Sequence, residues 1–214
     1  LPALEILSAD HNKVSSLVPA VLGDDLAPSA IRAATAPSGI FAKLHTLRLA
    51  HNAVTDIATL GVHLLPRLRA LDLRRNDLTR ITSLGKCPTL REIRLDGNRI
   101  KTIEPDAFRG LPRLQRLTLG ENSLRAAASS IAVAQSLQVL DLNCNRLSDA
   151  AEVEQLAALP FLADLVLSGN PLSRKQLYRP TVLRHLDLLR RLDGTEVSEE
   201  EKARAAALFE PASA

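Results

Sequence analysis

The sequence predicts a right-handed α/β solenoid with a parallel sheet on its concave face, helices and irregular coils on its convex face, and a helical cap at its C-terminal end. Three observations carry that prediction. A unit of the form L-x-x-L-x-L-x-x-N-x-L recurs seven times in 214 residues. Its asparagines, Asn12, Asn52, Asn76, Asn98, Asn122, Asn145 and Asn170, follow one another at intervals of 40, 24, 22, 24, 23 and 25 residues. Hydrophobic residues make up 46% of the chain but aromatics only 2%, with no Trp and no Met. The core must therefore be built from Leu, Ile, Val and Ala, which suit uniform stacked layers. A single unit cannot bury its own apolar side, so stability has to come from its neighbours.

Taken in order, the repeats begin at Leu4, Leu44, Leu68, Leu90, Leu114, Leu137 and Leu162. In the fourth, Leu90, Ile93 and Leu95 alternate with Arg94 and Asp96, and Asn98 follows. Alternation of this kind makes a strand with one face inward. The asparagine amide, placed where the strand ends, can satisfy main-chain groups as the coil turns away. The single long interval marks an insertion within residues 15–43, rich in Ala, Pro and Ser, with one short helix expected around Ser29 to Thr35. On the convex side Phe108 is placed to plug the space between coils. Ala126 to Ser136 reads as helical. So does Ser148 to Leu159, where Asp149, Glu152 and Glu154 lie opposite Ala151, Val153, Leu156 and Leu159. Near the end, a helix after Asn170 leads to a last short strand at Leu189 to Leu192. Ser198 and Glu201 then form a capping box for a terminal helix running to about Phe209. A polar-backed lid is what an open solenoid end requires.

The repeats resemble intracellular leucine-rich repeats of the 22-residue type; five of the six intervals fall in the roughly 20–29-residue range of such repeats. The stretch from Asn170 through Tyr178, Arg179, Val182, Leu183, Asp193 and Gly194 to Glu201 resembles the C-terminal cap of that group. Asp187, where the group often has proline, and Ala9, where the strand normally has leucine, depart from the pattern. The repeats and the cap together predict a single repeat domain over 1–214, with repeats over about 1–172 and a cap over about 171–210; because Leu1 lies inside a repeat and is not Met, the domain is expected to belong to a longer protein. The resemblance implies a binding module without catalytic activity and leaves the partner open.

The strand positions between the leucines point away from the core, and they define a candidate binding face. Arg48, Asp72, Arg74, Glu92, Arg94, Asp96, Arg116, Thr118, Asp141 and Asn143 lie in it as a mosaic of charge and polar groups. Its charges can pair with one another or meet a partner. Residues 41–120 hold 15 Lys/Arg against 7 Asp/Glu, while both flanks are slightly acidic, giving +3 for the whole chain. A basic middle favours a protein partner with an acidic segment. Single-stranded nucleic acid normally requires stacking aromatics, and this region offers only Phe41 and Phe108, both assigned to the core.

No phosphate-binding loop, nucleophile elbow or metalloprotease motif occurs, so neither catalysis nor a cofactor is expected. His11 and His51 take equivalent places in consecutive repeats, but two imidazoles without a third ligand do not define a metal site. Cys87 and Cys144 lie far apart, without the cysteine-rich end caps usual in secreted repeat proteins, which favours a reducing compartment. There is no apolar run long enough to span a membrane. The expected role is a scaffold in a cytoplasmic assembly, cytoskeletal or ciliary. The alternatives are a regulatory subunit of an enzyme such as a phosphatase, or an adaptor in a nuclear ribonucleoprotein.

Overall fold

The computed structural model describes residues 4–15, 41–82 and 84–209; the helix expected around Ser29 to Thr35 lies outside them. Three-residue strands follow each other coil by coil: β1 (Ile6–Ser8), β2 (Thr46–Arg48), β3 (Ala70–Asp72), β5 (Glu92–Arg94), β7 (Arg116–Thr118), β8 (Val139–Asp141) and β9 (Asp164–Val166). They pair in parallel, each with the next, and the sheet closes with β10 (Arg191–Leu192) and the antiparallel β11 (Thr195–Glu196). Two further strands, β4 (Arg80–Ile81) and β6 (Thr102–Ile103), pair on the outer side of consecutive coils and were not legible in the sequence.

The strands are short because the chain must turn at once. The residue before each asparagine takes a positive φ: His11, His51, Arg75, Gly97, Glu121, Cys144 and Gly169. At 169 glycine is also required by contact, since a Cβ there would stand 2.8 Å from Cys144 Sγ and 3.0 Å from its main-chain nitrogen.

The asparagine then bridges two coils. Asn98 Nδ2 donates to the carbonyls of Leu73 and Leu95, both at 2.9 Å, and its Oδ1 accepts the Leu78 N–H at 3.1 Å. Asn76, Asn122, Asn145 and Asn170 repeat the arrangement. Asn12, in the first coil, reaches carbonyls of its own turn alone among the described residues.

Inside this frame the repeated leucines form one continuous core, with Leu47, Leu71, Ile93, Leu117, Leu140 and Leu165 stacked in register. Phe108 is buried, as expected of a plug. Leu95 is wholly buried in the middle layer. Leu95→Ala is expected to cost about 3 kcal/mol through lost contacts and the cavity left behind, read from denaturant unfolding; a loss below about 1 kcal/mol would mean that the stack closes over the gap.

On the convex side, the helix expected over Ala126 to Ser136 shrinks to one turn, α2 (Ala128–Ile131), after the equally short α1 (Ile57–Leu60). A coil that must re-enter the sheet at Val139 has no room for more. The segment from Ser148 gives α3 (Ala151–Leu156), and here the expected polar face is wrong at one position. Glu152 is buried, 8% exposed, and its Oε2 accepts the N–H groups of Ala127 and Ala128, both at 2.9 Å. The start of α2 has no side-chain cap of its own, so the neighbouring coil supplies one.

The cap follows the sequence closely. After α4 (Tyr178–His185) and β10, Ser198 Oγ accepts the Glu201 N–H at 3.2 Å and starts α5 (Glu199–Ala207). Arg179 reaches Glu201 and the carbonyls of Leu192 and Glu196, tying both cap helices to the last strands. In earlier layers the N–H of Leu119 or Leu142 finds a carbonyl of the following strand. At the open end Asp193 Oδ1 takes that role, accepting from Leu167 at 2.7 Å and Ser168 at 2.8 Å. Its other oxygen accepts from Tyr178 Oη at 2.8 Å. Burial first, and then the Asp193 charge, raise the Tyr178 pKa, so the phenol stays a donor.

Candidate functional site

Strand register fixes the outward columns. One runs Arg48, Asp72, Arg94, Thr118, Asp141, Val166; the one before it runs Thr46, Ala70, Glu92, Arg116, Val139, Asp164. All ten candidate residues lie within these columns or in the next one, which holds Arg74, Asp96 and Asn143.

Their carboxylates are largely committed to the backbone. Where a strand ends it leaves a main-chain N–H facing out, and a nearby carboxylate accepts it. Asp72 takes the N–H of Arg74 at 3.1 Å, Asp96 that of Gly120 at 2.8 Å, Asp141 that of Asn143 at 2.8 Å, and Asp10 that of Ala50 at 2.7 Å. Asp72 is only 7% exposed and also holds Arg74 through a two-pronged ion pair, Nη2 to Oδ2 at 2.7 Å and Nε to Oδ1 at 2.9 Å. Burial alone would raise its pKa; the hydrogen bonds and charge of Arg74 outweigh burial and hold it below the usual carboxylate value. Asp96 goes the other way. Burial raises its pKa despite the opposing hydrogen bonds from Thr118 and Gly120.

The arginines are less evenly matched. Arg94 Nη2 stands 2.8 Å from Glu92 Oε1, and Arg116 Nε stands 3.7 Å from the same oxygen. Arg48 is exposed and forms no ion pair among the described residues. The expected internal pairing is thus realised in part, and two of the pairs, Asp72 with Arg74 and Glu92 with Arg94, run along one strand between residues two apart.

Beyond the strand ends lies a cleft of about 430 Å3 lined by His11, His51, Arg74, Arg75, Glu121 and Asn143, among others. His11 and His51 stack with centroids 4.1 Å apart and planes 16° from parallel. In rings so stacked the nitrogen lone pairs run side by side and do not converge on one ion. Among the described residues no group of three or more His, Cys, Asp or Glu is placed to hold a metal. Burial first, then the positive charge of His11, Arg75 and Arg74, lowers the His51 pKa. Arg75 and Glu121 were not foreseen here; their signal in the sequence is the place directly before the asparagine, where the chain takes its positive φ. Cys87 is buried, which pushes its thiol up to about 11, and Cys144 is exposed in the turn after β8. No helix among the described residues is long and apolar enough to cross a membrane.

A repeated strand–asparagine coil with an outward polar face defines a protein-interaction module. The family profile described as leucine-rich repeat matches residues 67–214, and the chain belongs to that family. It is 30% identical over 141 residues to U2 small nuclear ribonucleoprotein A' of Emericella nidulans, covering 66% of this chain and 51% of that protein. The chain spans about half the length of the curated relatives it matches. Among solved structures, an internalin from Listeria monocytogenes superposes with a TM-score of 0.67 at 24% identity, over 91% of this chain and 48% of the internalin. The Drosophila melanogaster SNF/U2A' complex gives a TM-score of 0.52 at 24% identity, over 74% of this chain and 78% of the compared one. At that identity the likeness shows the fold.

Proposed function

We propose that residues 1–214 act as one non-catalytic interaction domain that holds a protein partner on the concave face, as a scaffold within an intracellular assembly. The observation that carries the proposal is the imbalance at the centre of the sheet. Arg94 and Arg116 share the single carboxylate of Glu92, and Arg48, two strands from Arg94 on the far side of Asp72, has no ion pair among the described residues. Those guanidiniums favour an acidic segment of the partner, with Thr118 and Asn143 as neutral hydrogen-bonding neighbours. Asp72, Asp96 and Asp141 act as supports, because main-chain donors already engage them. A cytoplasmic site of action, cytoskeletal or ciliary, goes with this reading. A second reading, an adaptor in a nuclear ribonucleoprotein, is favoured by the relative named for such a particle.

The test is capture of partners from lysate with and without nuclease. Proteins retained after nuclease support direct protein binding; loss of every partner overturns it. Replacing Arg48, Arg94 and Arg116 together by Glu should weaken the captured partner about tenfold or more, with unchanged affinity as the contrary result. Arg74 is left intact in that variant because it anchors Asp72.

A further inference from the structure

The positive charge of the middle repeats does not reside mainly on the concave face. Within residues 41–120 the outward columns hold four arginines, Arg48, Arg74, Arg94 and Arg116, against Asp72, Glu92 and Asp96. That face is therefore nearly neutral. The segments that lead into the strands behave differently: residues 41–45, 65–69, 84–91 and 109–115 together hold seven cations and no carboxylate.

Main-chain bonds keep these segments in register along one edge of the solenoid. The N–H of Arg69 donates to His45 O, that of Arg91 to Arg69 O, and that of Gln115 to Arg91 O, at 2.8, 2.8 and 2.9 Å. The series continues through Gln138 and Ala163 to Arg190. Arg69 and Arg91 are thus neighbours in one column, and Lys43, Arg67 and Arg113 lie in the column two residues earlier. All five are exposed, and none enters an ion pair among the described residues. In the later coils the column that begins with Lys43 loses its charge and becomes apolar, with Asp187 and Arg190 remaining beside it. The column of Lys43, Arg67 and Arg113 continues as Phe161 and Leu188, which are 62% and 60% exposed. With Pro160, Ala203 and Ala206 they line a groove of about 1030 Å3 between the last coils and α5. The charged groups around that groove are largely occupied: Lys202 bonds Glu199 at 2.8 Å, and Arg184 lies 4.8 Å over the Phe209 ring.

We propose that this edge, from Lys43 to Leu188, is a second docking surface, and that its occupant is an extended acidic peptide carrying apolar residues at one end. The acidic half lies along Lys43, Arg67, Arg69, Arg91 and Arg113, and the apolar half enters the groove at Phe161 and Leu188. Charge complementarity selects the first half, and two exposed apolar side chains side by side select the second. The length is set by the coil spacing. Six steps of roughly 4.8 Å give roughly 29 Å, which about nine extended residues span. An RNA strand matches the charge but not the groove, for Phe161 is the one exposed phenyl ring among the described residues and stacking platforms require several. The proposal goes beyond the concave-face reading and does not depend on it.

The test is fluorescence anisotropy of the full chain with a fluorescein-labelled decapeptide: five alternating Glu and Asp residues followed by Ser-Leu-Phe-Ser-Leu. Binding at a Kd of about 100 μM or tighter is expected, weakening as salt is raised. Arg67→Glu, Arg69→Glu and Arg91→Glu combined should weaken it about tenfold or more, and Phe161→Ser with Leu188→Ser about fivefold. All five side chains are exposed, so melting temperatures should stay within about 2 °C of the parent. The triple change at Arg48, Arg94 and Arg116 should leave this Kd within about twofold, which separates this edge from the concave face. The proposal is overturned by a Kd above about 1 mM, or by either edge variant binding within about twofold of the parent. Tighter binding of a ten-nucleotide oligouridylate, or of phosphatidylserine vesicles, would also overturn it.

Discussion

Asn98→Ala is expected to lower the unfolding free energy by about 4 kcal/mol, each orphaned buried group costing about 1–3 kcal/mol. The amide joins three main-chain groups of two coils: it donates to Leu73 O and Leu95 O and accepts from Leu78 N–H. Alanine leaves that N–H without an acceptor in a layer that water does not reach, and it adds a small void. Because each coil is stabilised by its neighbours, a fault in the middle layer weakens the stack on both sides. Urea unfolding of Asn98→Ala beside Asn12→Ala is the check. Among the described residues Asn12 bonds within its own turn alone, and it is exposed, so its loss should cost under about 1 kcal/mol. Equal costs at the two positions would show that bridging between coils is not what the asparagines contribute.

Glu152→Ala is expected to cost roughly 3.5 kcal/mol, and Glu152→Gln about 1 kcal/mol, with charge-assisted hydrogen bonds worth about 1.5–3 kcal/mol each. The carboxylate accepts two N–H groups at the uncapped start of α2, and the site is buried. Glutamine keeps an acceptor oxygen for that pair and loses only the charge, so the gap between the two variants isolates the acceptor from the anion. Thermal unfolding by circular dichroism would measure it. If alanine and glutamine were equally costly, the carboxylate charge would be the whole contribution and the capping account would fail.

These two residues mark how far the chain could be read. Asn98 announces itself because one side chain recurs at one place in every coil, and the repeat interval states what it must touch. The same regularity exposed the strand register, the buried leucines and the outward columns. Glu152 gave no such signal. On its own segment it belongs to the polar side of an amphipathic turn, and its partners, Ala127 and Ala128, come from the preceding coil. The concave face shows the same limit. The sequence places Asp72, Asp96 and Asp141 in a mosaic whose charges can pair internally or meet a partner; that each also accepts an N–H left exposed where a strand ends is visible only once the backbone is placed.

Periodicity alone specified the solenoid, the asparagine ladder and the capping box at Ser198, since each depends on residues close in sequence or repeated at a fixed interval. Which charges remain available was decided by tertiary structure. Coil stacking brings residues some two dozen positions apart into contact, and there Arg94 and Arg116 share one carboxylate while the Asp193 side chain supplies an acceptor just beyond the end of the two-residue β10. The same stacking collects Arg67, Arg69 and Arg91 on one edge without an acid among them, a concentration of charge that the linear sequence spreads over three repeats.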